Sequence, residues 1–537
     1  MEKNKKTNLE RAEYPEQVGV SSARIADFID DLNRCGVETH SLMLLRNGKV
    51  AYECWAEPFG PDIPHTMYSV SKSVTATALG FAIDEGVLTL ETRVLDVFPE
   101  FTPPKRDEYL ERLNVWHLIT MTAGKDVLTL SDKTKNRWME DFFEAKWAFE
   151  PGTFWRYISE NTFMLSAMIQ RLTGQTLSEF LTPRFYEPLG FGRVPFWEKD
   201  GYGIDAGGWG IFLTTEELMK MTLCWLQGGV FDGKQVIPAD WAREAVKKQV
   251  ENLQYRELAS TIGYGYGFWR NPVPGSYRAD GLFSQFGMVF EKENACFVMT
   301  ASEIFEEKAR DCVWRHFPGI FTENGERNTD PEVQSRLRLK AMPNLPAAPR
   351  SRFEKQIENK VLNIHKNLVL NQIGMPVGML ATPALLMSPE KRTSIEEVRF
   401  RFRENECEMT WRENIYKNTI TCGMDGKPRF GELRIGQLRF LAAATASWEN
   451  EKTLCVWVRA LETVGERRVK FVLEGEKVTM IPGGYPDGRT TMEYISGFVP
   501  YFVSDYRLVK ATRAALAKAD RVVEPKHHGK VRRAGPR

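Results

Sequence analysis

In ARIADFIDDLNR the apolar residues Ile25, Phe28, Ile29 and Leu32 recur at helical spacing, and Ser21-Ser22 ahead of them supplies the polar cap that starts a helix. The period then changes. SLMLLRNGKVAYECWA reads as two apolar, β-rich runs around Asn47-Gly48, a dipeptide whose ready access to positive φ favours a tight hairpin. From Tyr68 the pattern turns helical, beginning with an apolar run to about Glu85. It closes with Thr214-Thr215-Glu216-Glu217, a capping box that opens a helix through about Leu226. Strand-like runs return from Tyr264 in GYGFWR, MVFE and ACFVMTA, and an apolar helix from Ala309 to His316 follows. Strands from both ends with helices inserted between them predict an α+β domain, in which an antiparallel sheet flanked by helices carries an inserted all-α subdomain.

The pattern changes again near Phe317. Residues 318–352 are rich in Pro, Asn, Arg and Glu and read as a linker. Residues 353–506 alternate as strands do, in EVRFRFREN, GELRIGQLRFLAA and KTLCVWVRA, and predict a β-rich accessory domain. Residues 507–537 form a basic tail, a short helix in RLVKATRAALAKA followed by a disordered end. The expected organisation is therefore a domain over 1–317, a linker, a β-rich domain and a tail. That second domain would suit covering the mouth of a site, forming a homodimer or bracing the core, and the pattern does not choose among them.

Composition narrows the classes of function. A chain of 537 residues implies two or three domains, and a net charge of +1 gives no global attraction to nucleic acid or to a membrane surface. The longest apolar stretch, Gly374 to Met387, is interrupted by Pro376 and Pro383 and is too short to span a bilayer. The N-terminal MEKNKKTNLERAEYPEQ is polar, so a cytoplasmic setting is the expectation. The cysteines at 35, 54, 224, 296, 312, 407, 422 and 455 form no Cys-x-x-Cys pair, which predicts neither a zinc site nor a disulfide framework.

Candidate chemistry centres on Tyr68-Ser69-Val70-Ser71-Lys72-Ser73. Ser69 and Lys72 stand three apart, hence on one face of the apolar helix. A serine hydroxyl needs a base at neutral pH, and a lysine can serve once burial lowers its pKa. Ser388-Pro389-Glu390-Lys391 has the same spacing but no apolar helix behind it. No Gly-x-Ser-x-Gly elbow occurs, and none of the seven histidines sits where a catalytic base is expected, His65 and His117 included. Tyr157, in EPGTFWRYISENTFMLSAMIQRLTG, follows a turn and an aromatic, strand-like piece and precedes an apolar helix; beside a lysine ammonium it is a candidate proton shuttle. Arg278 to Gln285 is a candidate edge strand for an oxyanion-binding amide.

These segments, in this order, resemble the serine β-lactamase-like family that includes class C β-lactamases, D-Ala-D-Ala carboxypeptidases, family VIII carboxylesterases and 6-aminohexanoate-dimer hydrolase. MYSVSKSVTATALGFAIDEGVLTLETRVLDVFPEF resembles its nucleophile helix, LNVWHLITMTAG the next helix and turn, and EPGTFWRYISENTFMLSAMIQRLTG its tyrosine motif. AGGWGIFLTTEELMKMTLCWLQGGVFDGKQVIPADW resembles its late helices, and YGYGFWRN with YRADGLFSQFGMVF its closing strands. The resemblance implies a serine hydrolase in which Ser69 is acylated, Lys72 accepts or relays its proton and Tyr157 acts as general base and then acid. The backbone amides of Ser69 and Gln285 would bind the oxyanion, and Ser159 would fill the third place of a Tyr-x-Ser element. Ser159, Trp155, Phe283 and Ser284 are the expected substrate contacts, with Trp55, Phe268 and Trp269 as further candidates for an apolar wall. No metal or organic cofactor is implied, and the partner is a small ester or amide. The family's Lys-Thr-Gly position falls on Leu282-Phe283-Ser284, which lacks both the cation and the glycine and argues against a β-lactam. Ser131-Asp132-Lys133 mimics another element of the family but lies in a polar segment. The alternatives are a catalytically idle binding protein of the same fold and a penicillin-recognising peptidase.

Overall fold

The computed structural model describes residues 8–126, 137–253, 262–365, 395–413, 416–435, 438–502, 506–518 and 526–532. The chain forms two compact units, Met1–Lys340 and Ala341–Arg537. Ser131-Asp132-Lys133, the Ser388–Lys391 match and the Gly374–Met387 stretch lie outside the described residues.

The first unit opens with α1, Ser22–Arg34, whose N-cap Ser21 accepts a hydrogen bond from the Arg24 amide. The hairpin follows as β1, Thr39–Arg46, and β2, Lys49–Trp55, with Asn47 and Gly48 at φ 52° and 80°. Positive φ at both turn residues matches the twist of the strands. The late strands are β3, Trp269–Arg270; β4, Ser276–Gly281; β5, Gln285–Phe290; and β6, Ala295–Ala301. They complete a six-stranded antiparallel sheet in the order β2-β1-β6-β5-β4-β3, so the chain ends of the unit meet where β1 pairs with β6. GYGFWR contributes only β3, because Gly263 and Gly267 bend the segment through positive φ before it.

Between β2 and β3 run the inserted helices: α2, Val70–Asp84; α3, Ser159–Thr173; and α4, Thr215–Leu226. The capping box is present at the start of α4, with Thr214 and Glu217 bonding each other's backbone amides. α5, Glu306–His316, follows β6. Phe28 of α1 packs its ring against Phe297 of β6 and against Phe317 just beyond α5. Burying an aromatic side chain this completely contributes ~1.5–3 kcal/mol. The aromatic piece before α3 is irregular rather than a strand; its Arg156 amide bonds the Met121 carbonyl while Trp155 turns into the core.

Two boundaries differ from the pattern-based reading. The stretch expected to be a linker belongs to the first unit as far as Lys340. It carries α6, Pro331–Arg336, whose Arg336 pairs with Asp27 and Asp30 of α1 at 2.6 and 2.7 Å. A stretch rich in charge reads as a linker when its opposite charges lie far away in sequence. The basic tail is also not wholly an extension.

The second unit is a β-barrel. Its strands are β7, Val361–Ile364; β8, Ile395–Phe402; β9, Glu406–Glu413; β10, Tyr416–Gly423; β11, Arg429–Ile435; β12, Leu438–Asn450; β13, Thr453–Ala460; β14, Glu466–Glu474; β15, Lys477–Tyr485; and β16, His527–Arg532. The order is β10-β9-β8-β7-β16-β15-β14-β13-β12-β11, and the Gly423–Thr445 bridge joins β10 back to β12. β16 comes from the basic tail. It fills the place between β7 and β15 with Gly529 and Val531 facing in, and its lysine and arginine are exposed. Helices over Gly488–Phe502 and Tyr506–Leu516 precede it. Among the described residues, no helix is long and apolar enough to cross a membrane.

Candidate active site

α2 is buried on nearly every side, which explains its apolar sequence and lack of a polar face. The hydroxyls it does carry are each satisfied. Ser71 Oγ accepts from the Ile211 amide, Ser73 donates to the Gly267 carbonyl, Thr75 to Gly207 and Thr77 to Ser73. Such bonds are needed because an unpaired buried hydroxyl costs ~1–3 kcal/mol. Ser69 stands at the N-terminus of this helix, half-buried, directly after Tyr68 at φ 46°. Left-handed backbone at an aromatic residue is strained by ~1–2 kcal/mol, and packing of the Tyr68 ring against Phe283 at 5.3 Å helps to hold it.

Lys72 lies one turn in and is fully buried. Its Nζ donates to Ser69 Oγ at 3.0 Å, to Ser159 Oγ at 2.9 Å and to the Gly208 carbonyl at 2.7 Å. It also sits 4.7 Å over the ring centroid of Tyr157. Burial disfavours the ammonium and lowers its pKa to about 7, with the nearby Glu160 carboxylate acting in the opposite sense. Near neutral pH the amine is therefore partly uncharged. An uncharged amine can keep two donated bonds, to Gly208 and Ser159, and turn its lone pair to the Ser69 hydroxyl.

Tyr157 and Ser159 reach the site because α3 begins there, and both are half-buried. The Tyr157 ring packs 5.2 Å from Trp269 and 6.0 Å from Trp155. The structure thus brings together Ser69, Lys72, Tyr157 and Ser159, from segments far apart in the chain.

Two other groups were not foreseen, the Gly208 carbonyl and Glu160, and Gly281 lay in the expected edge segment without a role of its own. The Gly208 backbone passes so near α3 that a Cβ there would lie 2.6 Å from the Ser159 carbonyl. Only glycine lets that strand of backbone reach Lys72. The signal was the cluster Gly207-Gly208-Trp209-Gly210. Glu160 is buried in the first turn of α3, where the helix dipole favours a carboxylate.

The closing strand corrects several expectations. A Cβ on Gly281 would lie 2.3 Å from the Met67 carbonyl, just ahead of Ser69, so close approach of the two backbones demands glycine at 281. Leu282-Phe283-Ser284 form the turn that follows, with Phe283 and Ser284 at φ 62° and 70°. The strand ahead of that turn ends in Ala279-Asp280-Gly281, which includes a glycine and no lysine. β3 pairs only with Tyr277 and Arg278, leaving the outer edge of 279–281 without a strand neighbour among the described residues. Asp280 is held by Arg278 at 2.6 Å and by Arg310 at 3.2 Å.

Ser284 is fully buried, its hydroxyl aimed at the Glu303 carbonyl, and Phe283 is packed on Tyr68; neither presents a surface to a substrate. Trp155 is buried with Met121, Tyr264 and Trp269 in a core cluster. Gln285 is also fully buried, and its side chain ties the turn together through the carbonyls of Leu282, Phe283 and Ala301. Trp55 lies on β2 and donates to Thr215 Oγ1, and Phe268 packs on Trp225. His65 and His117 have structural partners, His65 in His40 and the Thr66 carbonyl, His117 in the Asn114 capping box.

A beta-lactamase family model matches residues 25–312. The chain belongs to the beta-lactamase family. Among its relatives in that family, the 6-aminohexanoate-dimer hydrolase of Paenarthrobacter ureafaciens is 24% identical over 226 residues, spanning 39% of this chain and 57% of that protein. Esterase EstB of Burkholderia gladioli is 27% identical over 151 residues, 25% of this chain and 38% of the esterase. The chain thus spans only part of the length of these beta-lactamase-family relatives. A solved structure of a candidate 6-aminohexanoate-dimer hydrolase from Bacillus anthracis superposes with a TM-score of 0.50 at 17% identity, over 59% of this chain and 88% of that one. That likeness is one of fold.

Proposed function

We propose that the protein is a serine hydrolase that cleaves a small ester or amide through an acyl-enzyme on Ser69. The observation that carries this reading is the fully buried Lys72 amine, 3.0 Å from Ser69 Oγ and with its pKa lowered to about 7. The uncharged amine takes the Ser69 proton as Oγ attacks the substrate carbonyl. The tetrahedral oxyanion accepts a hydrogen bond from the Ser69 amide at the start of α2. A second donor must open to the cleft. Gln285 is fully buried, so the partly exposed Leu282, next to Gly281 at the unpaired edge of β4, is the better source of that amide. The proton held by Lys72 passes to the leaving alkoxide or amine through Tyr157, which borders the amine and is half-exposed. Water then attacks the acyl-enzyme by the reverse route, and Ser69 is released with its proton restored.

An uncharged substrate fits best. The strand position nearest the nucleophile carries Ala279, Asp280 and Gly281, whereas an anionic substrate would be met by a cation. The relatives named as an esterase and as a 6-aminohexanoate-dimer hydrolase support a hydrolytic reading, and neither name bears on the charge of the substrate. A panel of p-nitrophenyl esters, short amides and nitrocefin tests it. Turnover of an ester or amide that disappears in Ser69→Ala is the expected result; turnover of nitrocefin alone, or ester turnover that survives in Ser69→Ala, overturns the proposal.

A further inference from the structure

An early and a late helix of the first unit, α1 and α5, bring together a set of side chains that the proposed hydrolysis does not use. Asp31 lies in the last turn of α1 and Cys35 caps it, four residues on. Cys312 and His316 stand four apart on α5. Residues spaced this way share a helix face, so each helix offers two donor groups at one level. The two faces meet. A carboxylate oxygen of Asp31 and the sulfurs of Cys35 and Cys312 lie within 4.8 Å of one another. His316 Nε2 is 3.2 Å from Asp31 Oδ2.

Asp31 and Cys312 are buried, Cys35 is half-buried, and His316 borders solvent, so an ion has an entry path. Two sulfurs, an imidazole and a carboxylate are the ligand types that zinc takes in closed tetrahedral sites. With Zn–S near ~2.3 Å and Zn–N or Zn–O near ~2.1 Å, tetrahedral ligands sit roughly 3.4–3.8 Å apart. Asp31, Cys35 and Cys312 would close by about an ångström at most, a rotamer adjustment rather than a refolding, while His316, bonded to Asp31 but outside that trio, has farther to turn toward the sulfurs.

The cluster already attracts positive charge. The Arg315 guanidinium bonds both sulfurs, Cys35 at 3.3 Å and Cys312 at 3.2 Å, and bonds Asp31 at 2.8 Å. Arg34 also bonds Asp31. The Arg315 side chain is 48% exposed, so it can swing into solvent and leave the donors to close on an ion.

We infer that Asp31, Cys35, Cys312 and His316 form a structural binding site for a zinc(II) ion, with Arg315 as the group the ion displaces. The ion would join α1 to α5, cross-linking segments of the first unit that are far apart in sequence. No Cys-x-x-Cys pair announced the site, because its two halves are nearly the whole unit apart in sequence.

The test is direct metal binding by the full chain, reduced and chelator-treated, with cobalt(II) as the spectroscopic probe and zinc(II) as competitor. The expected result is one equivalent of cobalt bound, with thiolate-to-cobalt charge-transfer and tetrahedral ligand-field bands that zinc abolishes. Cys35→Ser/Cys312→Ser should lose these bands. His316→Ala should weaken binding by about tenfold or more, since even outer partners of metal ligands are worth 10–100-fold. Arg315→Gln should bind more tightly, which keeps the proposal testable if the double cysteine variant does not fold. No saturable cobalt binding by the wild type, cobalt bands unchanged in His316→Ala, or a thiol titration showing Cys35 and Cys312 joined as a disulfide in the metal-treated protein would each overturn the inference.

Discussion

Replacing Lys72 with methionine removes the amine while keeping a side chain of similar length, and two measurements then test the same feature. The fall in pKa from 10.5 to about 7 corresponds to ~5 kcal/mol for holding the ammonium in this buried site, at ~1.36 kcal/mol per unit. Below pH 7 the lysine is charged in both folded and unfolded chains, and the whole penalty is present. Between pH 7 and about 10.5 the unfolded chain keeps the proton while the folded chain has lost it. The unfolded state then binds more protons, so this lysine's penalty shrinks as pH rises, by ~1.4 kcal/mol per unit. The unfolding free energy of the wild type minus that of Lys72→Met should therefore be flat below pH 7 and climb by ~2–3 kcal/mol from pH 7 to pH 9. Urea titrations of both proteins at pH 6, 7, 8 and 9 read this difference. Acylation should meanwhile fall in Lys72→Met by more than the 10²–10⁴ of a single acid–base group, because Ser69 loses its base and Tyr157 the amine beside it. A stability difference that stays flat or declines across pH 7–9, or a loss of acylation below tenfold, would refute the reasoning.

Three further outcomes follow from the same geometry. Wild-type kcat/KM for an ester substrate should rise with pH through an apparent pKa near 7, as the Lys72 ammonium loses its proton, and a rate that falls through that region would assign the base elsewhere. Gly281→Ala should cost ~1–3 kcal/mol in thermal or urea unfolding and lower kcat/KM, because its Cβ would meet the Met67 carbonyl at 2.3 Å beside the nucleophile. Ser284→Gly should leave kcat/KM unchanged and raise stability by up to ~1–2 kcal/mol, since the residue is buried away from substrate at φ 70°; a rise in KM would restore it as a substrate contact.

Features set by neighbours in sequence were legible before the structure. The Ser69–Lys72 spacing needs only the helical period, the hairpin at Asn47-Gly48 only its turn residues, and the cap of α4 only Thr214 and Glu217. What escaped depends on distant backbone. The Gly208 carbonyl that holds Lys72 leaves only a run of glycines in the sequence, which does not say what the backbone touches, and the register of Gly281 against Met67 is a tertiary fact. Trp155, Phe283 and Ser284 lie beside motifs, but an aromatic next to a motif reads the same whether it faces a cleft or the core. The tail strand β16 was hidden for a related reason. In HHGKVR only Gly529 and Val531 turn inward, so the segment is too polar to announce a strand without β7 and β15 on either side.

The central claim, an acyl-enzyme on Ser69, is tested most directly by intact-protein mass spectrometry after reaction with a fluorophosphonate probe, followed by peptide mapping. The account predicts one adduct per chain on the peptide containing Ser69, and none in a folded Ser69→Ala variant. An unlabelled wild type, or an adduct of equal yield in Ser69→Ala, would contradict it.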